Sequence, residues 1–363
     1  MRFVIAILLC VSTLFSQIPD VRITHRIDTS NTETRELLGL WLSYLHNAPH
    51  ERKQRTEWNS AEKQSMRDAD LTRVWVFQHD SMLLEYPPTI LSIEPVGALR
   101  VIRTLFSMRD STGLIVPLGM HRVYAEQEFG SWKLKSALSV LTKQWKRSTS
   151  GVLRIVHSPE LSVSPVLARR AAQYCDSIAS LFDITMQETI LYVCESPDEV
   201  ARIIGLDYFA HPPYGITYPE NHILFSGTGT PWYPHELVHA VFSEFSATHP
   251  LLREGVATWL GGSLGDSFDK LVRDLQDSVR LGKRLALQSI LAQPMQYSTE
   301  LYTIGGVLCW YAYSLGGSES VRVLLSTGGT DADLYHAINT MFGVARHDID
   351  HWLEQRVREY KTK

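Results

Sequence analysis

A chain of 363 residues, 44% hydrophobic and 20% charged, is long enough for two domains with sizeable cores and too apolar to remain disordered. Its formal net charge of −4 leaves no basic footprint, so no nucleic-acid partner is expected. Arg2 followed by the apolar run Phe3 to Phe15 and then Ser16-Gln17 has the pattern of a secretory signal. That run is too short to span a bilayer, and no later stretch reaches the roughly 18 apolar residues a transmembrane segment needs. Removal of residues 1–16 takes away one charge, Arg2, moving the net from −4 to −5, and predicts an extracytoplasmic mature chain, periplasmic or secreted. Leu9 before Cys10 lacks the small side chain that lipid attachment wants. Cys175, Cys194 and Cys309 remain, as a Cys175–Cys194 disulfide plus one free thiol or as three buried thiols.

Within residues 17–142, Leu37, Leu38, Trp41, Tyr44 and Leu45 trace one helical face, and a second helix is expected around Ser60 to Arg67. Strands are then predicted over Arg73 to Phe77, Thr89 to Ile93, Leu99 to Met108, Leu114 to Leu118, Arg122 to Phe129 and Trp132 to Val140. Asp110-Ser111-Thr112-Gly113 and the two-residue Gly130-Ser131 are hairpin turns. Helices followed by a curved antiparallel sheet make an α+β accessory domain that resembles the nuclear transport factor 2-like and cystatin-like folds. None of His46, His50, His79 and His121 lies at ligand spacing to another acid or imidazole, so this domain is expected to be non-catalytic.

Lys143 to Gly151, basic and rich in small residues, reads as the linker to a second domain over 152–363. There a helix is predicted over Val166 to Phe182, a buried strand over Glu188 to Cys194, and a short helix over Ser196 to Ile204. A strand pair follows, Gly215 to Tyr218 with His222 to Phe225, and residues 152–262 end with two helices. Residues 263–363 are expected to be helical: Phe268 to Leu285, Leu287 to Leu291, Thr303 to Leu315, Ser318 to Leu325, Asp331 to Phe342 and His347 to Tyr360.

The chemistry concentrates in Tyr233-Pro234-His235-Glu236-Leu237-Val238-His239 and in Glu254, fifteen residues further on. Positions i and i+4 share a helix face, so His235 and His239 can offer two imidazole nitrogens to one ion. The turn Ser246-Ala247-Thr248-His249-Pro250 brings back a second helix whose Glu254 supplies the third ligand. Three protein ligands leave a tetrahedral zinc one position for water, which distinguishes a catalytic from a structural site. Glu236 sits beside the metal without binding it and is placed to act as general base. His347 and His351 repeat the i and i+4 spacing, but no third ligand accompanies them. Acidic Asp348 and Asp350 at a helix start are ordinary dipole compensation.

The pair His235-Glu236-Leu237-Val238-His239 and Arg253-Glu254-Gly255-Val256-Ala257 resembles the gluzincins, the peptidase MA-like zinc metallopeptidases, with the likeness covering about residues 150–330. It implies one zinc ion per chain on His235, His239 and Glu254, Glu236 as base, and a peptide or protein substrate. Some members carry a carboxylate four residues past the metal glutamate, where this chain has Thr258. Their oxyanion-stabilising tyrosine implies Tyr302, with Tyr297 as second candidate. Glu220-Asn221 resembles the end of the G-x-M-E-N signature of the aminopeptidase members, although Tyr218 and Pro219 depart from it. Glu220 is thereby either an anchor for a substrate amine or a turn residue. The expected activity is zinc-dependent peptide hydrolysis. The alternatives are a zinc-fold module that binds peptides without cleaving them, and a zinc hydrolase of non-peptide substrates.

Overall fold

The computed structural model describes residues 20–46, 57–65, 82–292 and 299–361. The expected signal over 1–16, the strand over Arg73 to Phe77 and the candidate Tyr297 lie outside them. The fold is α+β, as the sequence predicts, with two separate sheets. The chain forms two compact units, one up to Ala137 joined by Gly205–Ala210, the other Leu138–Ile204 with His211 onward. Among the described residues no helix is long and apolar enough to cross a membrane.

The first unit sets α1 (Thr32–His46) against a sheet ordered β1 (Arg22–Ile23), β2 (Pro88–Val96), β3 (Leu99–Arg109), β4 (Ile115–Glu128) and β5 (Ser131–Lys135). Short helices α2 (Ser60–Ser65) and α3 (Met82–Glu85) precede β2. All five apolar residues of the predicted α1 face are buried. Trp41 also donates its Nε1 hydrogen to Thr104 Oγ1 on β3 at 2.8 Å and stacks on His121 of β4 with ring centroids 5.6 Å apart. A sixth strand, β9 in chain order (Leu206–Phe209), returns to pair with Gly119, Met120 and His121.

Three expectations are corrected here. Leu114 to Leu118 and Arg122 to Phe129 are one strand, β4, because a register shift between Phe106 and Ser107 absorbs the irregularity at Pro117 and Gly119. Gly119 suits this course: a Cβ there would lie 3.2 Å from both Phe209 and the Tyr208 carbonyl of β9. The hairpin turn is Phe129-Gly130, not Gly130-Ser131, since Glu128 pairs Ser131 and the loop residues take φ of 49° and 80°. Beyond Lys135 the apolar run becomes a short helix, α4 (Ala137–Leu141), at a point where the Ser136 amide donates to Glu62 Oε2 (2.6 Å). A run that short carries no periodicity to separate strand from helix.

The second unit holds a mixed sheet ordered β10 (Gly215–Tyr218), β11 (Ile223–Ser226), β8 (Thr189–Val193), β7 (Leu153–His157) and β6 (Lys146–Ser150). The inner three strands are parallel and the two edge strands antiparallel to their neighbours. The predicted linker is therefore largely β6, whose residues are exposed up to Thr149, so its polar composition is that of a solvated edge. Helix α5 (Pro165–Phe182), capped by the Ser164 side chain, packs its apolar stripe on one sheet face, where Leu153, Ile155, Leu191, Val193 and Leu224 join the main core. After α6 (Pro197–Ile203), the chain reaches α7 (Pro234–Val241) and α8 (Pro250–Gly261), then α9 (Phe268–Arg280), α10 (Leu287–Leu291), α11 (Thr299–Leu325), α12 (Asp331–Phe342) and α13 (Ile349–Glu359). Thr303 to Leu315 and Ser318 to Leu325 are joined in α11, with the expected break surviving as a kink where Gly317 takes φ 65°.

Among the described residues Cys175, Cys194 and Cys309 are all free and buried, which is the three-thiol alternative and not the Cys175–Cys194 disulfide. Cys175 and Cys309 belong to the helix-side core, and Cys194, just past the end of β8, does not join it.

Candidate metal centre

Pro234 occupies the first position of α7, where a missing N–H costs nothing and a fixed φ favours the helical turn. His235 and Glu236 follow in that turn and His239 one turn later, and every residue from His235 to Val241 is buried. The two imidazoles meet edge to face, with centroids 4.9 Å apart and planes at 82°.

Helix α8 brings the third residue. The chain leaves α7 through the single turn Ser243–Phe245 and re-enters a helix at Pro250, where the His249 ring accepts the Leu251 amide hydrogen at Nδ1 (3.1 Å) and faces Asp331 at 3.1 Å through Nε2. This capping histidine escaped the sequence reading, which saw only the turn. Glu254 Oε2 then stands 3.2 Å from His235 Nε2 and 3.2 Å from His239 Nε2. One donor atom from each of the three lies within 4.8 Å of the others, the grouping of side chains able to hold a metal found among the described residues.

Two imidazole nitrogens and a carboxylate oxygen, mostly buried and converging, fit a zinc ion in number and type. The orientation of His235 is also fixed. Its Nδ1 is 2.7 Å from the Gly262 carbonyl, leaving Nε2 for the centre. Gly262 holds that carbonyl with φ 75° and ψ −173°, a conformation open only to glycine, and a Cβ there would lie 2.3 Å from Asp266 O. Thr258, at the position where the resemblance expects an orienting carboxylate, is buried, and among the described residues its hydroxyl has no hydrogen-bond partner. The orienting partner of this chain is a backbone carbonyl instead.

Charges in the cluster support one another. Burial pulls the His235 pKa down, but the Glu254 hydrogen bond, the charges of Glu236 and Glu254 and the Gly262 carbonyl outweigh it and lift it to about 9. Burial likewise opposes ionisation of Glu254, yet His239 and His235 hold its carboxyl well below the usual range.

Glu236 lies beside the three without joining them, and its Oε2 accepts a 2.7 Å hydrogen bond from Thr217 Oγ1 on β10. Tyr302 stands in the first turn of α11 with its ring 6.2 Å from that of His235. Burial first, then Glu254 and Glu236, push its pKa above the ordinary 10. Tyr233, for which the sequence suggests no role, shows the same direction, with burial and then Glu236 as the causes. Its only sequence signal is its place directly before Pro234. Glu220 is not gathered in. It sits exposed on the turn Pro219–Asn221, which packs against Ser243–Phe245 past the far end of α7. His347 and His351 are exposed, facing Asp348 and Gln355 respectively.

No protein-family model matches the sequence, and no curated protein matches it. Among solved structures, an M1 zinc metallopeptidase from Deinococcus radiodurans aligns at 12% identity and a TM-score of 0.36 over 75% of this chain. A mutant of it bound to a Tyr-Ser-Ala substrate aligns at 12% identity and a TM-score of 0.38. The chain spans 62% of the length of each, and likeness at this level assigns no family.

Proposed function

We propose that this chain is a zinc-dependent peptidase of gluzincin type in which His235, His239 and Glu254 hold the metal and Glu236 moves the proton. The observation that carries the reading is the meeting of three donor atoms within 4.8 Å, with a fourth, non-ligating carboxylate beside them. A zinc ion held there supplies a Lewis acid for the scissile carbonyl and lowers the pKa of water at the site toward roughly 7.

The protein's own groups supply the rest. Glu236 accepts a proton from the attacking water and returns it to the leaving amine. Tyr302, kept protonated by burial and neighbouring carboxylates, donates a hydrogen bond to the oxygen on which negative charge develops. The outer edge of β10 carries no strand partner among the described residues, and it offers main-chain groups to an extended peptide. Glu220 lies beyond the end of that strand, and its exposed place favours the turn-residue reading over the amine anchor.

The test is Glu236→Gln. We expect turnover to fall by about 10³-fold or more while the protein keeps one zinc per chain. A variant that still cleaves a peptide library at the wild-type rate rejects the assignment. A zinc-loaded wild-type chain that cleaves no peptide supports the silent or non-peptide alternatives.

A further inference from the structure

We propose that Thr217 is a positioning residue that holds the Glu236 carboxylate for proton transfer. The proposal rests on the peptidase reading and adds to it a residue that neither motif contains.

Strand β10 runs alongside the start of α7, and its alternation puts Gly215 and Thr217 on one face. At Gly215 there is no room for a side chain: a Cβ would lie 2.2 Å from the Tyr233 ring and 2.7 Å from Glu236 Cγ. The strand therefore touches the aliphatic part of Glu236 directly. Two residues later, the Thr217 hydroxyl reaches the end of the same side chain, 2.7 Å from Oε2, and lies 3.2 Å from the Glu236 main-chain carbonyl. A threonine hydroxyl has one hydrogen to donate, and the shorter contact is to the carboxylate. Among the described residues this is the hydrogen bond that the buried carboxylate makes.

One grip holds Cγ and the other holds Oε2, so the side chain loses its rotational freedom while Oε1 stays available for a proton. Positioning of this kind speeds a proton transfer because the geometry is set before the reaction begins. It acts on the chemical step and leaves substrate affinity largely alone. The same strand carries the edge proposed for peptide docking, so the base and the docked backbone share one rigid element.

The experiment compares the zinc-loaded full chain with Thr217→Val, Thr217→Ser, Thr217→Ala and Glu236→Gln. We expect Thr217→Val and Thr217→Ala to lose about 10- to 100-fold in kcat, with KM within about threefold and zinc still at one per chain. Thr217→Ser, which keeps the hydroxyl, should stay within about threefold of wild type, and Thr217→Ala serves if the valine variant does not fold. Wild-type kcat in Thr217→Val or Thr217→Ala alongside an inactive Glu236→Gln overturns the positioning role and leaves the peptidase reading standing. Full activity in Glu236→Gln sinks that reading and this role with it. A readout without turnover is the crystal structure of each chelated variant. Glu236 should keep one rotamer in the wild type and Thr217→Ser and leave it in Thr217→Val or Thr217→Ala, and an undisturbed carboxylate in the last two overturns the proposal.

Discussion

His235 and Glu254 share a proton economy that any metal must enter. With the His235 pKa lifted to about 9, its Nε2 is protonated through the neutral range and turned toward Glu254. A metal takes only the unprotonated nitrogen, so binding below about pH 9 must release that proton. Zinc affinity should therefore rise by about tenfold per pH unit from roughly 6.5 to 9 and level off above. Competition with a chromogenic chelator measures it, and an affinity flat across that range contradicts the arrangement. Arg253 adds a further positive neighbour to Glu254, its Nε 3.9 Å from Oε1. That contact favours the ionised carboxylate and so the same pH response.

At the scale of elements, the candidate metal centre depends on helices that touch without side chains between them. A Cβ on Gly255 would lie 2.2 Å from the backbone of Gly305, and one on Gly305 would lie 2.1 Å from the Leu251 carbonyl. Helices α8 and α11 thus cross in backbone contact one residue from Glu254 and three from Tyr302. Gly255→Ala must push them apart. We expect it to cost about 2–4 kcal/mol of stability and to weaken zinc binding by about 10- to 100-fold, as Glu254 is displaced from the histidines. Urea unfolding with chelator present and zinc competition measure the two effects, and a variant matching wild type in both removes the crossing from the account. Such a crossing cannot be read from a sequence. Gly255 and Gly305 are each visible next to a candidate residue, but nothing local says that they face one another. The convergence of His235, His239 and Glu254 is legible because i and i+4 spacing and a short turn are local facts. For the same reason the service of the Gly262 carbonyl to His235, 27 residues away, leaves no local signal. Thr217 was passed over because its partnership with Glu236 spans 19 residues. Strand β6 looked like a linker because an edge strand keeps its polar residues in water.

Over the whole molecule the two units should answer pH in opposite directions. In the first, His121 is buried against Trp41, with Arg122 adding positive charge, and its pKa is lowered to about 3. The folded unit keeps it neutral while the unfolded chain protonates it near 6.5, so stability falls as pH drops from 6.5 toward 3, by up to about 1.4 kcal/mol per unit. In the second, the raised His235 pKa stabilises the fold below 6.5, and that contribution is lost as pH climbs through 9, about 3 kcal/mol in all. Glu254 does not blur this window. Its lowered pKa gives stability present above 4.5 and lost only as pH falls through its folded value. Calorimetry of the chelated full-length protein at pH 5, 6.5 and 8.5 should resolve two transitions. One should weaken from 6.5 to 5 and the other from 6.5 to 8.5. Zinc should raise only the second, since a ligand stabilises the unit that binds it. His121→Phe, which replaces the ring without adding a titrating group, should remove the acid slope from the first. A single transition that moves as one body, or a first transition indifferent to acid in the wild type, contradicts two units each governed by its own buried histidine.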